Sequence, residues 1–355
     1  MNRTSTRVQR RPVHGVLLLD KPIGLSSNQA LQRAKWLLRA EKAGHTGTLD
    51  PLATGVLPLC FGAATKFSQV QLEANKTYEA TLRLGQKTTT ADAEGDVIET
   101  RPVPDITAEM LAVITARFSG PQAQVPPMYS ALKKDGKALY EYARKGIDVE
   151  REARHITIFK LNLSLAHDFS ACPAIKIVVC CSKGTYIRTL GEDIGEAFGC
   201  GGHLSSLRRI ETGGFLESQC VTLERLEALS EAERVDLLLP PQALIASYPC
   251  VVLDADNTAR FLSGLPRHGT PGQWGAEAPA VQVFGSIEPT LAPVFLGSAQ
   301  VSADALIAQR LLTPFEIRAI LQVPSDRQNK ERLEKLTLEP HDPSTMTASA
   351  TPATA

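Results

Sequence analysis

One stretch of the chain concentrates the residue types that chemistry needs: Gly44-His45-Thr46-Gly47-Thr48-Leu49-Asp50-Pro51-Leu52-Ala53-Thr54-Gly55-Val56-Leu57-Pro58. Glycine reaches φ > 0 and proline fixes φ, so the two packed this closely make a shaped loop. Its one acid, Asp50, precedes Pro51, which pushes it away from helical backbone. A lone carboxylate on a rigid loop, with His45 upstream, is a candidate nucleophile or base. The same pattern fits an Asp-Pro turn whose carboxylate bonds a nearby N–H, and both readings stand at this level.

The elements that must carry this loop read from periodicity. Residues 15–22 are a short apolar run closed by a turn signal, a buried strand. Ser26 or Ser27 caps a helix to about residue 40, with Ala30, Ala34 and Leu37 on one face. Residues 76–84 alternate, placing Tyr78, Ala80, Leu82 and Leu84 inward. Residues 107–118 form an amphipathic helix. Residues 121–152 are polar, basic and turn-rich, an excursion from the core. Strands follow at 156–165 and 175–181, the first changing phase at Phe159, which predicts a bulge. Tyr186, Leu190, Ile194 and Phe198 fall at helical spacing, with Gly199 to end that helix. Residues 203–211 read as another strand. A proline-containing connector at 239–249 marks a domain boundary, and 250–322 contains short β-type runs at 281–285 and 293–299. Beyond Val323 the composition predicts disorder.

Composition narrows the functional classes. The chain has 355 residues, enough for two cored domains, and no apolar run of membrane-spanning length. The basic start lacks the apolar stretch of a secretory signal. Seven scattered cysteines argue for reduced thiols in a cytoplasmic setting. Cys200 and His203 have ligand-like spacing, but no second tight pair accompanies them, so core packing is the better reading and no metal is expected. There is no GxGxxG or Walker pattern, and no cofactor is expected. Net charge is zero, yet it is segregated. Residues 1–45 carry nine bases (Arg3, Arg7, Arg10, Arg11, Lys21, Arg33, Lys35, Arg39 and Lys42) against Asp20 and Glu41. A second basic cluster comprises Lys133, Lys134, Lys137, Arg144, Lys145, Arg151 and Arg154. A neutral chain with such segregation can present a positive face to a phosphate backbone.

Several longer motifs, in order, carry a family resemblance. Gly15-Val-Leu-Leu-Leu-Asp-Lys-Pro-Ile-Gly-Leu-Ser-Ser-Asn28 resembles the N-terminal motif of TruB-type tRNA pseudouridine synthases, bacterial stand-alone form. Residues 44–58 followed by Gly62-Ala-Ala-Thr-Lys66 resemble the catalytic motif. Ser182-Lys-Gly-Thr-Tyr-Ile-Arg188-Thr and His203-Leu-Ser-Ser-Leu-Arg-Arg209 resemble later motifs. Met128-Tyr-Ser-Ala-Leu-Lys133 with Leu139-Tyr-Glu-Tyr-Ala-Arg144 resembles the RNA-clamping insertion.

The resemblance implies an α/β (α+β) fold: a mixed, mostly antiparallel sheet flanked by helices, with a small C-terminal β-rich, PUA-like domain. The expected layout is a flexible basic extension over 1–12 and a catalytic domain over 13–248 that contains the RNA-gripping insertion 121–152. An RNA-binding domain over 249–322 and a disordered tail over 323–355 complete it. It implies isomerisation of uridine 55 in the T-arm loop of tRNA, an intramolecular reaction needing no cofactor. Asp50 becomes the nucleophile, Arg188 its ion-pair partner, and Tyr78 the ring that stacks on the base and helps the proton leave carbon 5. Tyr186 and Leu207 line the pocket. His45 fills the space left by the flipped base. Lys21 and Lys66 support the pocket or approach a phosphate. Lys133, Lys134, Lys137, Arg144 and Arg154 grip the RNA, and tRNA is the one partner expected. The alternatives are a noncatalytic tRNA-folding or RNA-binding protein and a guide-RNA-dependent synthase acting on ribosomal RNA.

Overall fold

The computed structural model describes residues 9–166, 173–270, 272–287 and 292–322. The chain divides into two units, Met1–Leu244 and Ile245–Ala355. The tail expected to be disordered after Val323 lies outside the described residues. The basic extension is tied down where it is described: the Arg11 N–H donates to the Arg39 carbonyl and its guanidinium lies 3.1 Å from Glu231.

The first unit begins with β1 (Gly15–Lys21) and α1 (Ser27–Leu37). The Ser26 hydroxyl caps α1, and Gln29 closes the capping box. The helix stops before the expected residue 40 because Arg39 takes φ 54, a left-handed position that ends helices. β2 (Ala43–His45), β3 (Ala53–Phe61) and α2 (Ser68–Glu73) follow, then β4 (Lys76–Leu84), where the alternation of buried and half-buried residues is unbroken. β5 (Gln86–Thr88) and β6 (Val97–Thr100) form a hairpin ahead of α3 (Ala108–Arg117).

The excursion differs from expectation at its start. Residues 120–124 form β7 (Gly120–Gln124), an edge strand of the main sheet that pairs with β10 (Arg154–Leu165). Proline confined to an edge strand explains why so turn-rich a segment joins the sheet. The excursion proper carries the short β8 (Lys133–Lys134), β9 (Lys137–Ala138) and α4 (Leu139–Ala143). The predicted bulge in β10 is present, the register shifting between Ile158 and Lys160. β11 (Ala174–Cys181), α5 (Ile187–Ala197) and β12 (Gly202–Thr212) match the predicted periodicities, with Gly199 at φ 82 behind α5. β13 (Phe215–Leu216), β14 (Val221–Thr222), α6 (Leu223–Ala228) and α7 (Glu231–Asp236) complete the unit.

Among the described residues the main sheet runs β14-β1-β3-β12-β4-β11-β10-β7, with β2 added to β3 and β13 to β12. β1–β14 and β3–β12 pair in parallel and the other pairs are antiparallel, a mixed, mostly antiparallel sheet. The core packs the inner faces of α1, α3 and α5 on this sheet, through Ala30, Ala34, Ile114, Leu190 and Ile194.

The second unit is β-rich. Its sheet runs in the order β15 (Cys250–Leu253), β17 (Ala278–Gly285), β18 (Val294–Ser302), β19 (Ala305–Leu311) and β16 (Arg267–His268). The two apolar runs read from sequence are its central pair. Two helices add to it: α8 (Ala255–Phe261), capped by Asp254, and α9 (Pro314–Leu321), capped by a Thr313–Glu316 box.

Candidate active site

The glycine-rich loop is held at several points. Its start is β2, where His45 pairs with Leu59 of β3. The buried Ser27 hydroxyl donates to the Leu49 carbonyl at 3.0 Å and accepts from the Leu49 N–H at 2.7 Å. The Gly24 N–H donates to the Pro51 carbonyl, and the Ala53 N–H to that of Asp50. Beneath lies Lys21, 0% exposed, whose ammonium donates to the carbonyls of Pro22 (2.9 Å), Leu25 (2.6 Å) and Pro51 (3.4 Å). Its three protons are spent on backbone, so Lys21 braces the loop and has none left for a phosphate.

Asp50 is thereby presented with its side chain 39% exposed. Its carboxylate meets the Arg188 Nη2 at 2.8 Å. The ion pair, rather than a local Asx bond, is the contact it makes. The Arg188 side chain is only 5% exposed and every face is occupied. Nη2 also donates to the Tyr129 carbonyl at 2.7 Å and Nη1 to that of Thr90 at 3.0 Å, while Nε lies 3.6 Å from Asp92. Asp92 is 3% exposed and is itself bonded by the Thr90 hydroxyl and the Glu94 N–H. One always-charged fork thus joins an exposed carboxylate to a buried one.

Around this pair lies a cleft of about 410 Å³, within the size range of ligand sites. Asp50, Tyr78, Tyr186, Arg188 and Leu207 all line it. Tyr78 and Leu207 are 8% and 7% exposed, on the same side of neighbouring strands. Tyr186 sits at the N-terminus of α5. Its N–H donates to the Gln124 side-chain oxygen at 2.8 Å, and the Gln124 amide returns a bond to the Tyr186 carbonyl at 3.1 Å. Ser130, Ala131 and Leu132 of the excursion also line the cleft.

His45 and Lys66 do not line it. His45 is half-buried on β2, and burial lowers its pKa below the usual histidine value, so the ring is neutral at physiological pH. Lys66 is half-buried at the end of a short 3-10 turn, Gly62–Lys66. Lys133, Lys134, Lys137, Arg144 and Arg154 are all exposed. Arg144 lies over the Tyr140 ring at 5.2 Å, and the Lys134 ammonium donates to the Glu150 carbonyl at 2.9 Å.

Sequence reasoning missed Asp92, Gln124, Lys76 and Arg209. Asp92 and Gln124 sit in segments with no local signature. Lys76 and Arg209 had one: each lies two residues from an inward-facing residue, Tyr78 and Leu207, and strand alternation puts both inside. Lys76 is 7% exposed, its ammonium held by the carbonyls of Leu72 and Ala74 at the C-terminus of α2.

Burial brings both Lys21 and Lys76 down to about 8 from the ordinary 10.5. Below pH 8 folded and unfolded chains both hold these protons. Between 8 and 10.5 the unfolded chain holds more, so the contribution of these two groups to stability rises with pH. The Lys76→Met variant is therefore expected to lose its share of that rise, about 2 kcal/mol by pH 9.5. Urea unfolding from pH 7 to 9.5 checks this, and a wild-type slope in the variant would refute it.

Family models match most of this unit. Residues 35–187 match "TruB family pseudouridylate synthase (N terminal domain)" and 188–245 match "tRNA pseudouridylate synthase B C-terminal domain". The chain is 59% identical over 332 residues to tRNA pseudouridine synthase B of Verminephrobacter eiseniae, covering 93% of this chain and 98% of that one. The chain belongs to the TruB family of pseudouridylate synthases. Another TruB relative, tRNA pseudouridine synthase B of Cupriavidus pinatubonensis, is 54% identical over 314 residues, 88% of this chain and 98% of that one. The fold is similar to that of a chain in a solved H/ACA RNP bound to a substrate RNA containing 2'-deoxyuridine. There the TM-score is 0.60 at 21% identity, over 85% of this chain and 86% of that one. The TruB chain is thus a pseudouridine synthase, an isomerase. Among the described residues no group of three or more His, Cys, Asp or Glu could hold a metal ion, and six cysteines are free thiols.

Proposed function

We propose that the chain converts uridine 55 in the T-arm loop of tRNA to pseudouridine, with Asp50 as the nucleophile. The observation that carries this reading is the buried Arg188 fork, which fixes an exposed carboxylate at a cleft walled by two tyrosines and a leucine. The relatives' names supply tRNA as the substrate.

The chemistry follows from the residue types. A flipped uracil enters between Tyr78 and Tyr186, which offer stacking area, with Leu207 as an apolar wall. Asp50 reaches the sugar because it is the exposed member of the ion pair. The Asp50 carboxylate bonds to C1′ as the N1–C1′ bond breaks, the base turns, C5 displaces the carboxylate from C1′, and the C5 proton is exchanged for one on N1. Nothing is gained or lost overall. His45 occupies the space that the base leaves, and a neutral ring suits stacking better than a charged one. The β-rich second unit is assigned as a PUA-like contact to the acceptor region. In the described residues no helix is long and apolar enough to cross a membrane, and the proposed site of action is the cytoplasm.

Pseudouridine mapping on unmodified tRNA transcripts, incubated with this protein alone, tests the reading. Product at position 55 is expected without a guide RNA; product elsewhere, or none until a guide is added, would overturn it. The exposed lysines of the excursion give a separate expectation. Replacing Lys133, Lys134 and Lys137 with glutamine should weaken tRNA binding. It should also flatten its log–log salt dependence by up to roughly 2 units, at somewhat under one per lost phosphate contact. An unchanged slope would place the phosphate backbone elsewhere.

A further inference from the structure

A phenol buried between β-strands is a poor base. Burial pushes Tyr78 up from its ordinary 10.0, and Asp50 and Cys181, facing it from the loop and from β11, push the same way. The cation that opposes them is Arg209 of β12. In the antiparallel register Leu207 pairs with Ala80 and Arg209 with Tyr78, so Arg209 stands directly across from the phenol on the face that lines the cleft. Lys76, two residues before Tyr78, is the other cation on this face of β4.

Arg209 is 1% exposed. Its Nε is fixed on the Val56 carbonyl at 2.7 Å, and its Nη2 is buried without an acceptor among the described residues. Its charge lies close enough to the Tyr78 hydroxyl to hold that group's pKa down, and both side chains line the cleft. The glycine-rich loop is shaped around it: a Cβ on Gly55 would lie 2.2 Å from the Arg209 carbonyl oxygen, and one on Gly47 would lie 3.3 Å from Nη1. A buried cation is costly without a partner anion. The polar side chain supplied to this one is a phenol, which becomes such an anion on losing its proton.

We propose that Arg209 is a positioning residue for proton removal, fixing the Tyr78 oxygen and stabilising its phenolate. The inference rests on the pseudouridine reading of the cleft. Tyr78 first gives its proton to water. After C5 has bonded to C1′, the C5–H bond breaks and its proton passes to the phenolate oxygen. The C5–H electron pair becomes the C5–C6 double bond, and the N1–C6 π pair moves to N1, which takes a proton from water.

The test is single-turnover product formation by the full chain on tRNA transcripts carrying hydrogen or deuterium at uridine C5. Arg209→Met is expected to slow the reaction about 10²-fold, the scale of general-base assistance. The C5 isotope effect should rise above that of wild type, and the rate should climb with pH between 8 and 10, with tRNA affinity unchanged. Arg209→Lys should show the same changes to a smaller degree. A wild-type rate, or slowing with a wild-type isotope effect and pH profile, would overturn the proposal. If Arg209→Met does not fold, Arg209→Lys decides on the same two readouts. Tyr78→Phe separates the layers: full activity there removes the assignment of Tyr78 itself. A raised isotope effect in Tyr78→Phe that neither Arg209 variant shares removes only the role of Arg209.

Discussion

Asp50→Asn is expected to abolish pseudouridine formation, lowering the single-turnover rate by at least ~10³-fold, while tRNA still binds. The substitution keeps size and shape, so the loop pinned by Ser27, Gly24 and Lys21 should persist. It removes the charge that Arg188 meets at 2.8 Å and, with it, the nucleophile. A filter-binding titration alongside the rate measurement distinguishes two outcomes. Lost turnover with retained binding supports the nucleophile; near-normal turnover sinks it. A chain that only folded or bound RNA would be indifferent to this change, so the variant also decides against the noncatalytic alternative.

Arg188→Lys is expected to be nearly as damaging, with a loss of about 10²-fold at little change in tRNA affinity. The guanidinium serves Asp50, Asp92, Thr90 and Tyr129 from three nitrogens fixed in one plane. A single ammonium cannot reach all four. Arg188→Met should be worse in a different way, because it leaves Asp92 buried without a counter-charge. Removing one partner of a buried pair costs roughly 3–5 kcal/mol, so that variant should lose stability as well as rate. Equal melting behaviour in the Lys and Met variants would show that Asp92 does not depend on Arg188.

The parts of the site legible in the sequence are those with a strong local signature. The β4 alternation announced Tyr78 as inward, and the helical spacing after Tyr186 placed Arg188 at the head of α5. Residue types alone left Asp50 undecided between catalysis and a turn. The Arg188 contact now explains its exposure, and long ordered motifs had indicated that partner. Asp92 was out of reach, since a polar turn between hairpin strands shows nothing of the cation that will be buried on it. Lys21 read as supporting the pocket or approaching a phosphate, because no local pattern reports that a β-strand will seal over an ammonium. Gln124 was hidden because its strand begins with Gly-Pro, a pattern that reads as a turn until β10 supplies the pairing edge.

The position of β12 carries a consequence for synthesis. Residues 202–212 lie between β3, formed from residues 53–61, and β4, from 76–84. A nascent chain that has emerged only as far as α5 holds Asp50, Tyr78 and Arg188 but lacks the strand that sets their spacing. Two unpaired edges then wait for an insertion more than a hundred residues downstream, an arrangement of high contact order that folds slowly and is prone to mispairing. The cleft therefore closes late, as one event, and ribosome-bound chains shorter than about 212 residues should pellet or engage chaperones rather than modify RNA.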